Sequence, residues 1–375
     1  MIILGLLTFA RLAGMGAKRA KDGEPHNVLA VKMVGLGDTV LMLTPLALLK
    51  KRFPEASISV LATPLSSGIL ATQGINEMIV YDALAPREGM MGFGRLVRKL
   101  RQRRFDCVID FEQHFLLSSV IAFLTGAPVR IGFTFGKSLR RLMFTHPVEI
   151  DPGRHMVDSF MGLLGPLGIS APKVEALEKI QTTQQDERHV ADWLASKGID
   201  GNDLVVGVHT GTGPRAPSKR WDKDRFASIV RRLAGGLGAK VVLTGTAAEG
   251  RMIDEIAALA GEKCVYSSAG LFSPGELAAL ARRCRLFISN DTGVMHISAA
   301  VGTPTIGLFG PESPARYAPV GRGNIALYKP PACSPCVAIH KGESRTCDEA
   351  PCMRAITVED VWAKIADLTA ERTAA

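Results

Sequence analysis

Between residues 285 and 309 the chain runs from an apolar segment through a polar turn and a helical pattern into a second apolar segment. Arg285 to Ser289 reads as a strand, and Asp291, Thr292 and Gly293 form the turn. Met295, Ile297 and Val301 repeat at helical spacing until Gly302, and Pro304 to Phe309 reads as the next strand. Strands joined through a helix pair in parallel, and a parallel sheet needs helices on both faces. The unit therefore selects an open α/β sheet, which takes ligands at the carboxyl ends of its strands. The turn lies at such an end. It also opens a helix whose first N–H groups have no internal partner and attract anions. The plainer alternative is a helix cap made by Asp and Thr, with His296 in the core.

The same grammar begins near residue 27. Strands are expected at 28–31, 57–61, 78–81, 105–110 and 129–132, and helices at 39–51, 92–103 and 115–125. Gly165-Pro166-Leu167-Gly168 and Pro172 break the pattern. A charged helix over 183–196 follows, then strands at 204–208, 239–243, 285–289 and 304–308 and helices at 223–234, 248–260 and 274–283. Thr357, three residues before Asp360, caps a last amphipathic helix to 368. At 375 residues the chain exceeds one core. The expected division is an extension at 1–26, α/β domains at 27–175 and 185–355 facing across a cleft, and a terminal helix and tail at 356–375.

The formal net charge of +9 favours partners that carry phosphate or carboxylate. No helix-turn-helix signature or His-containing zinc-finger spacing is present, so nucleic acid is not expected as a partner. Residues 1–17 are mostly apolar but include Arg11, and Lys18, Arg19 and Lys21 follow. That run is too short and too charged to span a bilayer and lacks the basic start of a signal peptide. It reads as an amphipathic helix lying on an anionic membrane face. Arg95, Arg98, Lys99, Arg101, Arg103, Arg104, Arg140 and Arg141 cluster in the first half, as a solvated helix face or a patch for a phosphorylated or lipid acceptor. Among the cysteines, Cys107, Cys264 and Cys284 sit in apolar contexts and are expected as buried thiols. Cys333, Cys336, Cys347 and Cys352 crowd one Pro-rich loop, where they form a structural metal cluster, a redox-labile loop or four unlinked thiols; disulfides would need an oxidising compartment, and without a secretory signal the reduced state is expected.

Four strand-end motifs carry candidate chemistry. Val34-Gly35-Leu36-Gly37-Asp38-Thr39 follows the first strand. Its glycines allow close backbone approach, and Asp38 is a helix cap or a general base facing the cleft. Because a helix start lowers a carboxylate's pKa, such a base would need burial. His209-Thr210-Gly211-Thr212-Gly213-Pro214 follows the first strand of the second half, with Lys219-Arg220-Trp221 just beyond. Small residues there expose N–H groups to phosphate, and Lys219 would neutralise a diphosphate leaving group. Asp222-Lys223-Asp224 has the look of a metal motif but reads better as a cap. Gly245-Thr246-Ala247-Ala248-Glu249 ends another strand, with Glu249 either complementing the helix dipole or accepting from ribose hydroxyls. The Asp291-Thr292-Gly293 turn is the fourth motif.

Together these residues resemble the heptosyltransferase family, glycosyltransferase family 9, of bacterial lipopolysaccharide assembly. The likeness runs from about residue 27. It is carried by Gly37-Asp38 with the helix to Pro45, Phe53-Pro54, the strand ending at Asp110, Lys219-Arg220-Trp221, Asp291-Thr292-Gly293 with His296, and Gly302-Thr303-Pro304 to Gly310-Pro311. The resemblance implies a GT-B fold of two Rossmann-like doubly wound domains. It implies an inverting, metal-independent transfer of heptose from ADP-heptose, with no cofactor required, to a lipopolysaccharide core or related lipid-linked acceptor. By position Asp38 matches the catalytic base, and Gly37, Thr39 and Gln113 lie on the acceptor side. Thr210, Thr212, Lys219, Glu249, Asp291, Thr292, Gly293, Met295 and His296 fall on the donor side. Asp222 stands where the family commonly has Pro, the 1–26 extension is atypical, and a Gly-Pro-Arg insertion precedes Lys219. The expected location is cytoplasmic, peripheral at the inner face of the inner membrane. Two alternatives are a non-catalytic sugar-nucleotide-binding GT-B protein and a transferase using another nucleotide sugar.

Overall fold

A computed structural model describes residues 24–82, 89–136, 138–170, 172–214, 216–338, 343–344, 347 and 349–370. The amphipathic helix expected at the amino terminus lies outside the described residues up to residue 23. β1 (Asn27–Val31) is the centre of the first sheet, and Val28 to Val31 are fully buried. A strand covered by helices on both faces reads as an unbroken apolar run, which is why its sequence does not alternate. β2 (Ser57–Ala62), β3 (Glu77–Val80), β4 (Cys107–Asp110), β5 (Val129–Thr134) and β6 (His146–Glu149) complete that sheet. All of its strands pair in parallel, in the order β3-β2-β1-β4-β5-β6.

The second sheet holds β7 (Val205–His209), β8 (Lys240–Thr244), β9 (Val265–Ser267), β10 (Leu286–Asn290), β11 (Thr305–Phe309) and β12 (Ile325–Tyr328). Its order, β12-β11-β10-β7-β8-β9, is again all parallel. Counted from the first strand of each half, both sheets run 3-2-1-4-5-6, the Rossmann order. Each reverses direction between its first and fourth strands, so the loops after β1 and β4, and after β7 and β10, border the places where such sheets bind ligands. The expected strands and helices are all present, with ends shifted by one to three residues.

β6, β9 and β12 were not expected. All three are short edge strands, and β6 contains Pro147, which a sheet tolerates only at an edge. The helices Pro64–Leu70 and Met156–Gly162 were also not anticipated. The helix Val358–Ala370 is no separate tail, since Val361 and Ile365 are buried in the core of the second half. The seam between the halves is partly dry. Met295, Ile297, Phe309 and Tyr317 share one apolar core with Val40, Leu43, Phe111 and Phe160 of the first half.

Candidate active site

The first-half site is built by an ionic chain that begins under the sheet. Arg140, buried, donates through Nη2 to Asp110 Oδ2 at 3.0 Å and to the Glu112 carbonyl at 2.6 Å. Asp110 also accepts from Ser118 Oγ at 2.7 Å and from the Glu112 N–H at 3.0 Å. Burial raises the Asp110 carboxyl to about 6, against the opposing pull of Arg140. The loop after β4 is thereby held so that Glu112 reaches across to the loop after β1. Its Oε1 accepts from the Met33 and Val34 N–H groups at 2.5 and 2.6 Å, and its Oε2 accepts from Lys32 Nζ at 2.8 Å. Lys32 is 1% exposed. Burial opposes its charge, yet Glu112 and Asp38 hold its pKa above the ordinary value.

Lys32 Nζ lies 3.3 Å from Asp38 Oδ2. The other carboxylate oxygen, Oδ1, is buried and has no hydrogen-bond partner. Burial raises the Asp38 carboxyl, with Lys32 partly offsetting it. The depression expected at a helix start is thus overcome by desolvation, the condition that a working base needs here. Thr39, expected on the acceptor side, instead turns its hydroxyl into the protein, donating to the Gly35 carbonyl at 3.0 Å and to Ser66 Oγ at 3.2 Å. Arg140 is likewise not part of a surface basic patch, because Asp110 neutralises it in the interior. Arg95, Arg98, Lys99 and Arg101 do face solvent on the helix Gly89–Arg103, which buries Leu96 and Leu100, and Arg104 does so just beyond its end. Arg103 and Lys99 pair with Glu77.

In the second half, Asn290 ties two strand-end loops together. Its amide donates to the Thr210 carbonyl at 3.0 Å, and its Oδ1 accepts from the Trp221 N–H at 3.1 Å. Trp221 is buried, with Nε1 donating to the Ile356 carbonyl at 2.9 Å. This anchor brings Lys219 to Asp291, Nζ to Oδ2, at 2.5 Å. Burial works against the Lys219 charge, but Asp291 holds the ammonium above its ordinary value, so it is cationic. Thr292 is the extended N-cap of the helix Gly293–Ala300, with its hydroxyl 3.2 Å from Ser289 Oγ. Thr210 Oγ1 is buried without a partner.

Other donor-side residues take positions that the sequence did not indicate. Glu249 accepts from the Thr212 and Gly213 N–H groups at 2.9 and 3.0 Å, and from the Thr246 N–H and hydroxyl, both at 2.9 Å. Its carboxylate is occupied in shaping the loop 210–213 and capping its own helix. Met295 is fully buried against Gly307, where an added Cβ would meet its sulfur at 2.5 Å. Asp222 caps the helix Lys223–Arg231 through the Asp224 and Arg225 N–H groups, as the cap reading anticipated. Among the described residues Cys333, Cys336, Cys347 and Cys352 form no disulfide, and no group of three or more His, Cys, Asp or Glu side chains is placed to hold a metal ion.

The halves meet at these loops rather than standing apart across an open cleft. A Cβ on Gly37 would lie 2.8 Å from His296 Cδ2 and 3.3 Å from Gly293 Cα, and one on Gly293 would lie 2.8 Å from the Gly37 nitrogen. Only glycines allow this approach. His296 is buried, with Nδ1 unpartnered, and burial lowers its pKa to about 3. Gln113, expected on the acceptor side, bridges the halves. Its Nε2 donates to Tyr317 Oη at 3.0 Å, and its Oε1 accepts from Arg316 Nη2 at 3.0 Å. His155 Nε2 lies 3.0 Å from the Ala318 carbonyl. Sequence reasoning missed Lys32, Glu112, Glu312 and Arg316. The available signal was an ionisable residue at or just beyond the end of an apolar strand. Unpartnered buried atoms gather at this junction, on Asp38, Thr210, Arg220, His296, Glu312 and Arg316. Such a concentration marks a place where a polar ligand completes the bonding.

Two Rossmann-like domains that meet through their strand-end loops define the GT-B fold. The family model described as glycosyltransferase family 9 (heptosyltransferase) matches residues 93–346, and the chain belongs to that family. It is a glycosyltransferase of the heptosyltransferase type. Lipopolysaccharide heptosyltransferase 3 of Escherichia coli is 30% identical over 288 residues, covering 73% of this chain and 80% of the relative. Among solved structures, a family 9 glycosyl transferase from Veillonella parvula aligns with a TM-score of 0.81 at 24% identity, covering 95% of this chain and all of that one. The E. coli ADP-heptose lps heptosyltransferase II aligns at 0.73 with 20% identity, covering 92% and 99%. These structural likenesses bear on the fold.

Proposed function

We propose that the chain transfers a heptose, with inversion, from ADP-heptose to a lipopolysaccharide core or related lipid-linked acceptor, with Asp38 as general base. One observation carries the reading: Asp38 has one oxygen on Lys32 and the other buried, unpartnered, where the first half meets the second. The acceptor hydroxyl gives its proton to Asp38 Oδ1 as its oxygen bonds to the anomeric carbon. The bond from that carbon to the diphosphate oxygen breaks on the opposite face, and ADP leaves. Lys219 and the first N–H groups of the helix Gly293–Ala300 stabilise the charge that grows on the diphosphate. To do so, Lys219 exchanges its bond to Asp291 for the phosphate. ADP-heptose is the donor by analogy with the relative whose name includes it.

The acceptor is lipid-linked, and the surface fits an anionic membrane face. The helix Gly89–Arg103 exposes Met90 and Met91 beside Arg95, Arg98 and Arg101. Among the described residues no helix is long and apolar enough to cross a membrane, and the contact proposed here is peripheral. Two measurements test the whole reading. In a thermal-shift panel, ADP should protect the protein selectively, because binding to the folded state raises stability; preferential protection by UDP or GDP would move the donor elsewhere. Asp38→Asn should lower transfer by about 10²–10⁴-fold while leaving ADP affinity within about twofold. Transfer near the wild-type rate would remove Asp38 from the mechanism.

A further inference from the structure

Glu312 follows β11 and is 1% exposed. Its Oε1 accepts from the Ser313 N–H at 2.9 Å, and its Oε2 is buried with no hydrogen-bond partner. Leaving a buried carboxylate oxygen unbonded is costly, so the position calls for an explanation beyond packing. Its surroundings supply one. Lys219, Asp291 and Arg316 are close enough to act on its charge. Lys219 also feels Asp38, and so do Arg316 and the buried Tyr317. Glu312 therefore lies within charge reach of the cation assigned to the leaving diphosphate, and that cation is separated by a gap, still within charge reach, from the carboxylate assigned to the incoming hydroxyl. In a displacement at an anomeric carbon, that gap is where the transferred sugar lies.

We propose that Glu312 is a contact for the donor sugar, its Oε2 accepting a hydrogen bond from a hydroxyl of the ring that is transferred. This rests on the nucleotide-sugar reading above. The diphosphate is already met by Lys219 and the first N–H groups of the helix Gly293–Ala300, so the ligand assigned to Glu312 is a sugar hydroxyl. It carries no proton in the reaction, because the hydroxyl it accepts from is not the one that reacts. Burial, which raises its pKa to about 7, also makes a hydroxyl donor more valuable to it than water would be.

The test is calorimetric titration of ADP and of ADP-heptose into the full-length protein and its Glu312→Gln and Glu312→Ala variants. Glutamine keeps the size and the Ser313 contact, so it serves if alanine does not fold. Wild type should bind ADP-heptose more tightly than ADP. The variants should bind ADP as wild type does but lose about tenfold or more in affinity for ADP-heptose, the range for a hydrogen bond to a charged group. In turnover, KM for the donor should rise while kcat stays within a few-fold. A donor analogue lacking the contacted hydroxyl should bind wild type and variant alike. Equal weakening of both ligands, or of neither, overturns the assignment of Glu312 and leaves the nucleotide reading intact. Failure of wild type to bind either ligand overturns both.

Discussion

The two halves share one strand order and differ in what their strand-end loops are made of. In the first half, the loops after β1 and β4 are held by buried full charges: Arg140 on Asp110, and Lys32 between Glu112 and Asp38. In the second, the loops after β7 and β10 are held by side chains bonded to backbone groups: the Asn290 amide on Thr210 and Trp221, and the Glu249 carboxylate on the N–H groups of Thr212 and Gly213. A charged scaffold tunes the proton affinity of a single carboxylate. A scaffold whose side chains are bonded to backbone groups leaves the first N–H groups of the helix Gly293–Ala300 and one lysine to meet an anion. The shared topology supplies the location, and loop chemistry divides the labour between proton handling and anion handling.

The strongest way to break this contrast is Arg140→Met. Removing one partner of a buried pair leaves the other charge uncompensated, at a cost of about 3–5 kcal/mol. Urea unfolding at pH 8 should show a loss of that order. At pH 5 the loss should shrink, because Asp110, already raised to about 6 by burial, then takes up a proton instead of remaining charged. ADP affinity should stay near wild type, since no second-half loop depends on Arg140. If the ADP site fell with it, the division between the halves would be wrong.

Lys219→Ala probes the other side. The unfolding midpoint should move less than in the Arg140 variant, because the Lys219–Asp291 pair is less deeply buried than Arg140–Asp110. Transfer should fall by about 10²–10³-fold, the effect of losing one preorganised donor to a developing charge. A large stability loss with modest kinetic change would make the lysine a scaffold residue like those of the first half.

These two sites were unequally legible in the sequence. Lys219, Asp291, Thr292 and Gly293 lie within short polar turns after apolar runs, and local pattern is enough to find them. Arg140 looked like one more surface cation because its partner, Asp110, stands thirty positions earlier at the end of β4. Lys32 and Glu112 were hidden for the same reason: a buried charge is explained only by a partner that the fold brings to it. Glu249 was visible as an acid near a helix start, but the loop it accepts from is 36 residues away. The close approach of Gly37 to Gly293 belongs to the packing of two domains, and no single-chain periodicity encodes it. The edge strands were missed because they are short and, in β6, interrupted by Pro147.

The smallest effect concerns His296, which lies where the two chemistries touch. Burial, with His155 and Lys219 nearby, lowers its pKa to about 3, whereas in the unfolded chain it titrates near 6.5. Between those values the unfolded state carries a proton that the native state does not. Stability therefore rises with pH through this window and falls as pH drops below about 6.5. At pH 5 this one group would remove about 2 kcal/mol relative to pH 7.5. Asp110 and Glu312, raised by burial to about 6 and about 7, act in the opposite sense, so the wild-type curve alone shows only the net. His296→Gln removes the first contribution and leaves the other two. Thermal unfolding at pH 7.5 and pH 5 should accordingly show a larger acid loss in wild type than in the variant. Equal losses would mean that His296 is protonated in the folded protein, and that the junction between the halves holds a cation facing Asp38.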